Sequence, residues 1–201
     1  MRESPFPPHI SEALAHARVG VAGAGGMGSH VAVALARSGV GSLTVADFDT
    51  VEASNLFRQC YTPGDVGTKK TVALSGTLMS IEPDLDLRVF DGEITPDNAT
   101  SVFSGCSVVC ECFDRPEAKA MLVEALLSDP DGPAVVSCSG MAGFGSSNDI
   151  VTRKPMPRLY VCGDGVSEAS GGPGLTAARV MVCAGHAANM AIRLVLGQDK
   201  P

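Results

Sequence analysis

Three glycines, Gly23, Gly25 and Gly28, stand in the spacing GxGxxG within Arg18-Val-Gly-Val-Ala-Gly-Ala-Gly-Gly-Met-Gly-Ser29. The chemistry that spacing permits is phosphate binding. Gly23 allows a tight turn off a strand, Gly25 lets the backbone approach a phosphate, and Gly28 lets helix and strand pack closely. With Gly26 between them, the turn would sit under a nucleotide. The helix that follows adds free N–H groups and a partial positive charge. Asp47 lies about twenty residues past the last glycine, where a carboxylate binds a ribose hydroxyl. Asp49 stands beside it. Next come Asn55 and Arg58 within Asp47-Phe-Asp-Thr-Val-Glu-Ala-Ser-Asn-Leu-Phe-Arg-Gln59, and Lys70 at the end of Gly67-Thr-Lys-Lys70. A triphosphate attacked at its α-phosphorus needs cations of this kind to offset charge. Lys69 reads as a solvated loop charge. Asp114 closes Glu111-Cys-Phe-Asp114; by position alone its carboxylate could serve as an N-cap for the helix after it.

These groups need elements to hold them. The apolar run Val19–Ala22 reads as a short buried strand, Met27–Arg37 as a helix and Gly41–Ala46 as a second strand. Ser107–Phe113 is nearly continuous in apolar character, as a central parallel strand buried on both faces is. Asp114 then sits at a strand's carboxyl end, the ligand edge of an open α/β sheet. Further strands are expected at Leu85–Phe90, Ala134–Ser139, Ile150–Arg153 and Arg158–Val161. Helices are expected at Ser11–Ala17 with Ser11 as cap, Asp65–Ser80, Thr95–Phe103, Pro116–Leu127 and from about Leu175 to Gly197. The fold class that follows is α/β: a Rossmann-like, doubly wound, largely parallel sheet with the ATP site at the carboxyl ends of the strands. The Gly/Ser-rich Ser137–Ser147 suits either the wall of a narrow groove or an ordinary loop. Gly163–Gly174 suits a lid or a plain connector.

Composition narrows the classes. A chain of 201 residues, 45% hydrophobic, with 23 glycines and no tryptophan fits one glycine-punctuated α/β domain. Met1–Ala17 is expected as an arm with a short helix, and 18–201 as the single domain. A net charge of −7 argues against nucleic acid or an anionic membrane as partner; a local patch of Arg58, Lys69, Lys70, Arg153 and Lys154 stays open. Leu175–Leu196 is apolar, but Arg179, His186, Asn189 and Arg193 interrupt it, so a buried amphipathic helix is expected rather than a membrane span. Seven cysteines cannot all pair. The opening lacks a charged region followed by an apolar one, so the expected location is a reducing cytoplasm. No Cys-x-x-Cys occurs, and Cys106, Cys110 and Cys112 share a parity that would point them the same way along one strand; no structural zinc is expected. Cys162 is the expected exposed thiol and the candidate acceptor of an acyl group. His9, His16, His30 and His186 show no spacing to a Ser or Cys partner.

Taken together, Gly23-Ala-Gly-Gly-Met-Gly-Ser29, Asp47-Phe-Asp49, Ser54-Asn-Leu-Phe-Arg-Gln59, Gly67-Thr-Lys-Lys70 and Glu111-Cys-Phe-Asp114 resemble the ThiF/MoeB/HesA superfamily, relatives of the ubiquitin-activating enzymes. The resemblance runs from about Arg18 to Leu196. The short length and Ser137-Cys-Ser-Gly-Met-Ala-Gly-Phe-Gly145 look most like the compact ThiF-like branch linked to thiamin synthesis. The resemblance implies an adenylyltransferase. The Gly-Gly carboxylate of a ubiquitin-like sulfur carrier attacks the α-phosphorus of ATP and releases pyrophosphate. A separate persulfide donor then supplies sulfur. Asp47 would hold the ribose, Asn55, Arg58 and Lys70 the phosphates, and Asp114 the Mg²⁺, with Arg58, Lys70 and Asp114 carrying catalysis. No general base is needed, because the attacking carboxylate is already ionised at neutral pH. A homodimer is implied as well. The Arg-Tyr-Ser-Arg-Gln run that relatives carry near the N-terminus is missing, and Arg2 is the only arginine before Arg18. Lys119 stands where many relatives have arginine. Three other readings stay open: a carrier from a molybdopterin or cysteine pathway, an NAD-dependent oxidoreductase built on the same glycine turn, and a non-catalytic carrier-binding scaffold.

Overall fold

The computed structural model describes residues 5–168, 172 and 174–201. Arg2 and residues 169–171 and 173 of the Gly163–Gly174 loop lie outside the described residues. Seven strands form one sheet: β1 (Arg18–Ala22), β2 (Ser42–Asp47), β3 (Asp86–Asp91), β4 (Val108–Glu111), β5 (Ala134–Cys138), β6 (Val151–Met156) and β7 (Leu159–Gly163). Their order is β3-β2-β1-β4-β5-β7-β6. Every neighbouring pair is parallel except β6 against β7. The helices are α1 (Pro8–Ala15), α2 (Gly26–Arg37), α3 (Lys70–Ile81), α4 (Ala99–Val102), α5 (Pro116–Leu127) and α6 (Ala177–Val195).

The sheet is wound on both faces. Val19, Val21, Val108 and Cys110 face one layer with Leu14 of α1, Leu35 of α2, Leu74 and Leu78 of α3 and Cys183 and Ala187 of α6. Ala22, Val109 and Val135 face the other, with Ala99 and Phe103 from the α4 segment and Leu122 and Leu126 of α5. Alternation along a strand sends successive side chains to opposite layers, so β1 from Val19 on and β4 as far as Cys110 carry no charged side chain. The glycine in β1, Gly20, has a steric cause: a Cβ there would lie 2.6 Å from the Phe103 ring. The chain runs outward from β1 to β2 and β3, then returns to β4 on the other side of β1 and continues to β5 and β7. The switch point therefore lies between β1 and β4, where Ala22 pairs with Glu111. Ligands of open α/β sheets bind outside such a point.

Several boundaries differ from the sequence expectation. Helix α1 starts at Pro8, not at a Ser11 cap, because proline is pre-shaped for the first helical position; the Ser11 hydroxyl donates backwards to the Pro7 carbonyl at 3.3 Å. The helix expected from Asp65 splits, since Gly67 adopts φ 88°. A 3-10 turn at Pro63–Asp65 precedes it, and α3 begins at Lys70. The helix expected over Thr95–Phe103 shrinks to α4, with the Asn98 side chain accepting the Thr95 N–H at 2.9 Å. Cys110 and Cys112 do share the larger core layer. Cys106 precedes β4 and packs in the opposite layer, so strand parity did not apply to it. The basic patch does not assemble: Lys69 pairs with Asp91, Lys70 with Asp49 and Lys154 with Asp199.

Candidate functional site

The glycine turn leaves β1 at Gly23, whose φ of 96° suits glycine. A Cβ on Gly23 would approach the Cys112 carbonyl oxygen at 2.9 Å. Gly28 lies in the first turn of α2, and a Cβ there would sit 2.8 Å from the Gly23 carbonyl carbon and closer still to its oxygen. Gly25 and Gly26 are different: nothing lies within 3.4 Å of the Cβ position on either. The turn is thus packed against the sheet on one side and open on the other.

Asp47 ends β2 and is buried, with both oxygens in use. Oδ2 accepts the Ala24 N–H at 2.6 Å and Oδ1 the Asp49 N–H at 2.8 Å. The Tyr61 hydroxyl donates to the Ala24 carbonyl at 2.7 Å, so the Ala24 residue is held from both sides. Burial, with the nearby Asp47 charge, pushes the Tyr61 phenol well above its usual range, which keeps it a donor. Lys70 opens α3, where the helix dipole disfavours a cation. Its ammonium is almost buried and lies 2.6 Å from the half-exposed Asp49 carboxylate. Asn55 is buried in a 3-10 turn, where its Oδ1 accepts the Glu52 N–H at 3.0 Å. Arg58 folds back on the same turn and donates to the Ser54 carbonyl at 3.1 Å. Asp114 is exposed beyond β4, and among the described residues its carboxylate makes no hydrogen bond or ion pair. It does not cap α5; Arg115 holds the N-cap position and Pro116 the first turn.

All these elements converge on one cavity of about 820 Å³ at the carboxyl ends of the strands. Gly23, Gly25, Gly26, Asp47, Asp49, Asn55, Arg58, Lys70 and Asp114 all line it; Gly28 alone lies behind the turn. The volume is that of a nucleotide-sized pocket.

Sequence reading missed two groups around this cavity. Glu111, at the end of β4, is fully buried. It accepts from the Phe113 N–H at 2.7 Å, the Ser137 hydroxyl at 2.6 Å and the Lys119 ammonium at 3.0 Å. Burial pulls the Lys119 ammonium down, but Cys138 and the Glu111 carboxylate outweigh it and hold it above its ordinary range. Burial pushes the Cys138 thiol up to about 12. The signal was present: a carboxylate inside an apolar strand demands a partner. The second group is Arg179, in the first turn of α6. It donates to the Ser146 carbonyl at 2.6 Å and pairs with Asp164 at 2.5 Å. Burial alone would raise the Asp164 carboxyl. The Ser167 and Val166 N–H groups, the Ser167 hydroxyl and Arg179 more than offset that and hold it well below the carboxylate range. The Ser167 hydroxyl in turn accepts the Ala142 N–H at 2.9 Å. Arg179 thereby ties together two loops whose residues Ser139–Ala142 and Ser167 line the cavity.

Two expectations about thiols fail. Cys162 is fully buried under β6 and α6 and is not an exposed acceptor. His30 does have a cysteine partner: Cys60 Sγ lies 2.9 Å from its Nδ1. The two are thirty positions apart, and only the packing of the Arg58–Cys60 segment on α2 joins them.

The ThiF family model matches residues 3–201. The chain belongs to the ThiF family. This ThiF-family chain is 36% identical over 125 residues to the adenylyltransferase and sulfurtransferase UBA4 of Yarrowia lipolytica, covering 62% of this chain and 31% of that protein. It is 38% identical over 112 residues to the molybdopterin-synthase adenylyltransferase of Salmonella typhimurium, covering 55% and 45%. The matched stretches thus span less than half of each of these relatives. Among solved structures, the E. coli tRNA N6-threonylcarbamoyladenosine dehydratase, in complex with ATP, superimposes with a TM-score of 0.87 at 22% identity, covering 96% of this chain and 91% of that one. That likeness establishes the shared fold. No helix among the described residues is long and apolar enough to cross a membrane.

Proposed function

We propose that this protein is an ATP-dependent adenylyltransferase that activates the C-terminal glycine carboxylate of a ubiquitin-like carrier. The observation that carries the reading is the single cavity in which an open glycine turn, Asn55, Arg58, Lys70 and Asp114 meet at the sheet's switch point. The family, two relatives named as adenylyltransferases and a structural neighbour solved with ATP support it.

The cations are engaged internally. Lys70 leans on Asp49 and Arg58 on the Ser54 carbonyl. Both partners reach solvent, so a triphosphate can compete for the cations at small cost. Asp47 keeps the glycine turn in place through the Ala24 N–H and has unused lone pairs for a ribose hydroxyl. Lys70 and Arg58 then hold phosphate oxygens while a carboxylate oxygen bonds to the α-phosphorus and the bond to the bridging β-phosphate oxygen breaks. The products are acyl-adenylate and pyrophosphate. Catalysis is positioning and charge offset. Asp114 offers an unengaged hard oxygen at the cavity, which fits Mg²⁺; that ion, when bound there, would offset charge on the phosphate oxygens.

The NAD-dependent reading leaves Arg58, Lys70 and Asp114 without a role. A second adenylating reading has an observation behind it: the dehydratase of E. coli also matches in sequence, at 38% identity over 112 residues. A tRNA-linked carboxylate would then be the substrate, against which the net charge of −7 weighs. We carry forward the homodimer, the separate persulfide donor and the thiamin-linked carrier on the resemblance, and the cytoplasm on seven unpaired cysteines.

The test is carrier-dependent exchange of labelled pyrophosphate into ATP with Mg²⁺. A panel of Gly-Gly-ending carriers, thiamin-linked and molybdopterin-linked ones included, is run against wild type and Arg58→Ala. Exchange that requires one carrier and is lost in the variant is expected. ATP binding without exchange for any carrier would favour a scaffold, and binding of NADH but not ATP would defeat the reading.

A further inference from the structure

A thiol, an imidazole and a backbone carbonyl stand in line beside the cavity, and no step of adenylation uses them. Cys60 Sγ lies 2.9 Å from Nδ1 of His30 on α2. The other ring nitrogen, Nε2, lies 3.2 Å from the Arg58 carbonyl oxygen. A carbonyl only accepts, so Nε2 carries the ring proton and Nδ1 is the free acceptor. The Cys60 S–H therefore points its proton at Nδ1. A third contact fixes the backbone: the Cys60 N–H donates to Ser29 Oγ at 3.2 Å. Nucleophile, base and a group orienting the base is the arrangement of an activated nucleophile.

Access singles out the same residue. Of the seven cysteines, Cys60 alone is not buried. Burial of the pair raises the thiol and lowers the imidazole. The two rest neutral, and the proton passes to His30 only as sulfur attacks.

We propose that Cys60, with His30 as its base, is a site of reversible thiolation by small-molecule disulfides, and that the mixed disulfide disturbs the nucleotide cavity through Arg58. In the exchange Cys60 Sγ bonds to one sulfur of the disulfide and the original S–S bond breaks. His30 Nδ1 takes the thiol proton and returns it to the departing thiolate. Cys60 is oxidised and the departing half is reduced, so no other redox partner is required. The coupling has a short path. Cys60 and the Arg58 carbonyl share His30, and a substituent on Sγ competes for the space the imidazole fills. Arg58 and Gln59, the two residues before Cys60, both line the cavity. Gln59 Oε1 is buried without a partner, so that atom does not anchor the segment. The coupling rests on the nucleotide reading of the cavity; the reactivity of the thiol does not.

The native 201-residue chain is treated with dithiodipyridine, the released thiopyridone is followed by absorbance, and the labelled peptide is mapped by mass. One fast equivalent on Cys60 is expected. His30→Gln should slow it about a hundredfold, the usual scale of general-base assistance. Label spread evenly over the cysteines, or placed first on another one, would overturn the site, and this arm needs no variant. Equal rates in wild type, His30→Gln and His30→Asn would overturn the base. Glutathione disulfide is then applied and ATP binding measured by calorimetry. Kd should rise about tenfold, as when one charge-assisted contact is lost. Dithiothreitol should reverse the change, and Cys60→Ser should not show it. Unchanged binding by the thiolated wild type would overturn the coupling. If the untreated protein binds no ATP, the nucleotide reading has failed, and the exchange rates still decide the dyad.

Discussion

Alanine at Gly28 and alanine at Gly25 should have opposite consequences. At Gly28 the new methyl would meet the Gly23 carbonyl carbon at 2.8 Å, its oxygen closer still, and Cys112 Cβ at 3.2 Å. Two of these atoms are backbone of the strand-to-helix turn and cannot rotate away. Helix α2 must shift bodily off the sheet, breaking its packing with α6. Overpacking of this kind costs about 3 kcal/mol or more, which for a chain of this size lowers Tm by roughly 6–12 °C. At Gly25, the nearest atom to a Cβ is Gln59 Nε2 at 3.9 Å and φ is −78°. Alanine meets no close atom there, and stability should stay within about 1 kcal/mol of wild type. The methyl would stand where the backbone is to approach a phosphate. Losing charge-assisted N–H contacts costs about 1.5–3 kcal/mol, a weakening of ATP binding of roughly tenfold to a hundredfold. Scanning calorimetry and ATP titration on both variants decide the matter. A Gly28→Ala protein that melts with wild type would refute the packing argument. A Gly25→Ala protein that binds ATP as wild type does would refute the phosphate site.

Lys70→Met should lower ATP affinity by roughly tenfold to a hundredfold with little change in Tm, because the Asp49 left behind is half-exposed; binding calorimetry reads it. Asp114→Asn should keep Tm, since the exposed side chain has no partner to lose, and should abolish Mg²⁺-dependent pyrophosphate exchange. Lys119→Met strands the buried Glu111 charge and should cost about 3–5 kcal/mol, much of it restored by adding Glu111→Gln; a double-mutant melt tests this. The Asp164 carboxyl is held below its unfolded value, so its contribution is full above about pH 4 and is lost as pH falls further. Wild type should therefore lose stability on acidification more steeply than Asp164→Asn, which starts lower because Arg179 is left unpaired. Parallel pH-dependent denaturant melts with equal slopes would sink that assignment.

Much of the site was legible because its signals are local. The GxGxxG spacing, the acid after the second strand and the polar run to Lys70 each follow from neighbours in the chain. They report a turn, a strand end and a connection that every copy of this topology puts at one edge. Central strands were legible for the same reason, since burial on both faces leaves no polar alternation. Boundaries near Gly67 and Asn98 were not, because a positive φ or a single side-chain cap decides them. Asp114 read as metal ligand or helix cap, with the metal favoured, and the structure gives the cap position to Arg115.

What the sequence determined by itself was the α/β class, the place of the glycine turn and the run of cavity residues from Asp47 to Lys70. These depend on periodicity and on spacings shorter than one βαβ unit. Tertiary structure alone decided which distant groups pair. Glu111 finds Ser137 through the parallel pairing of β4 with β5, and Arg179 finds Asp164 and Ser146 where α6 meets two loops. His30 finds Cys60 only because the Arg58–Cys60 segment folds onto α2. Each pairing is fixed by packing between elements far apart in the chain, and no local spacing encodes that.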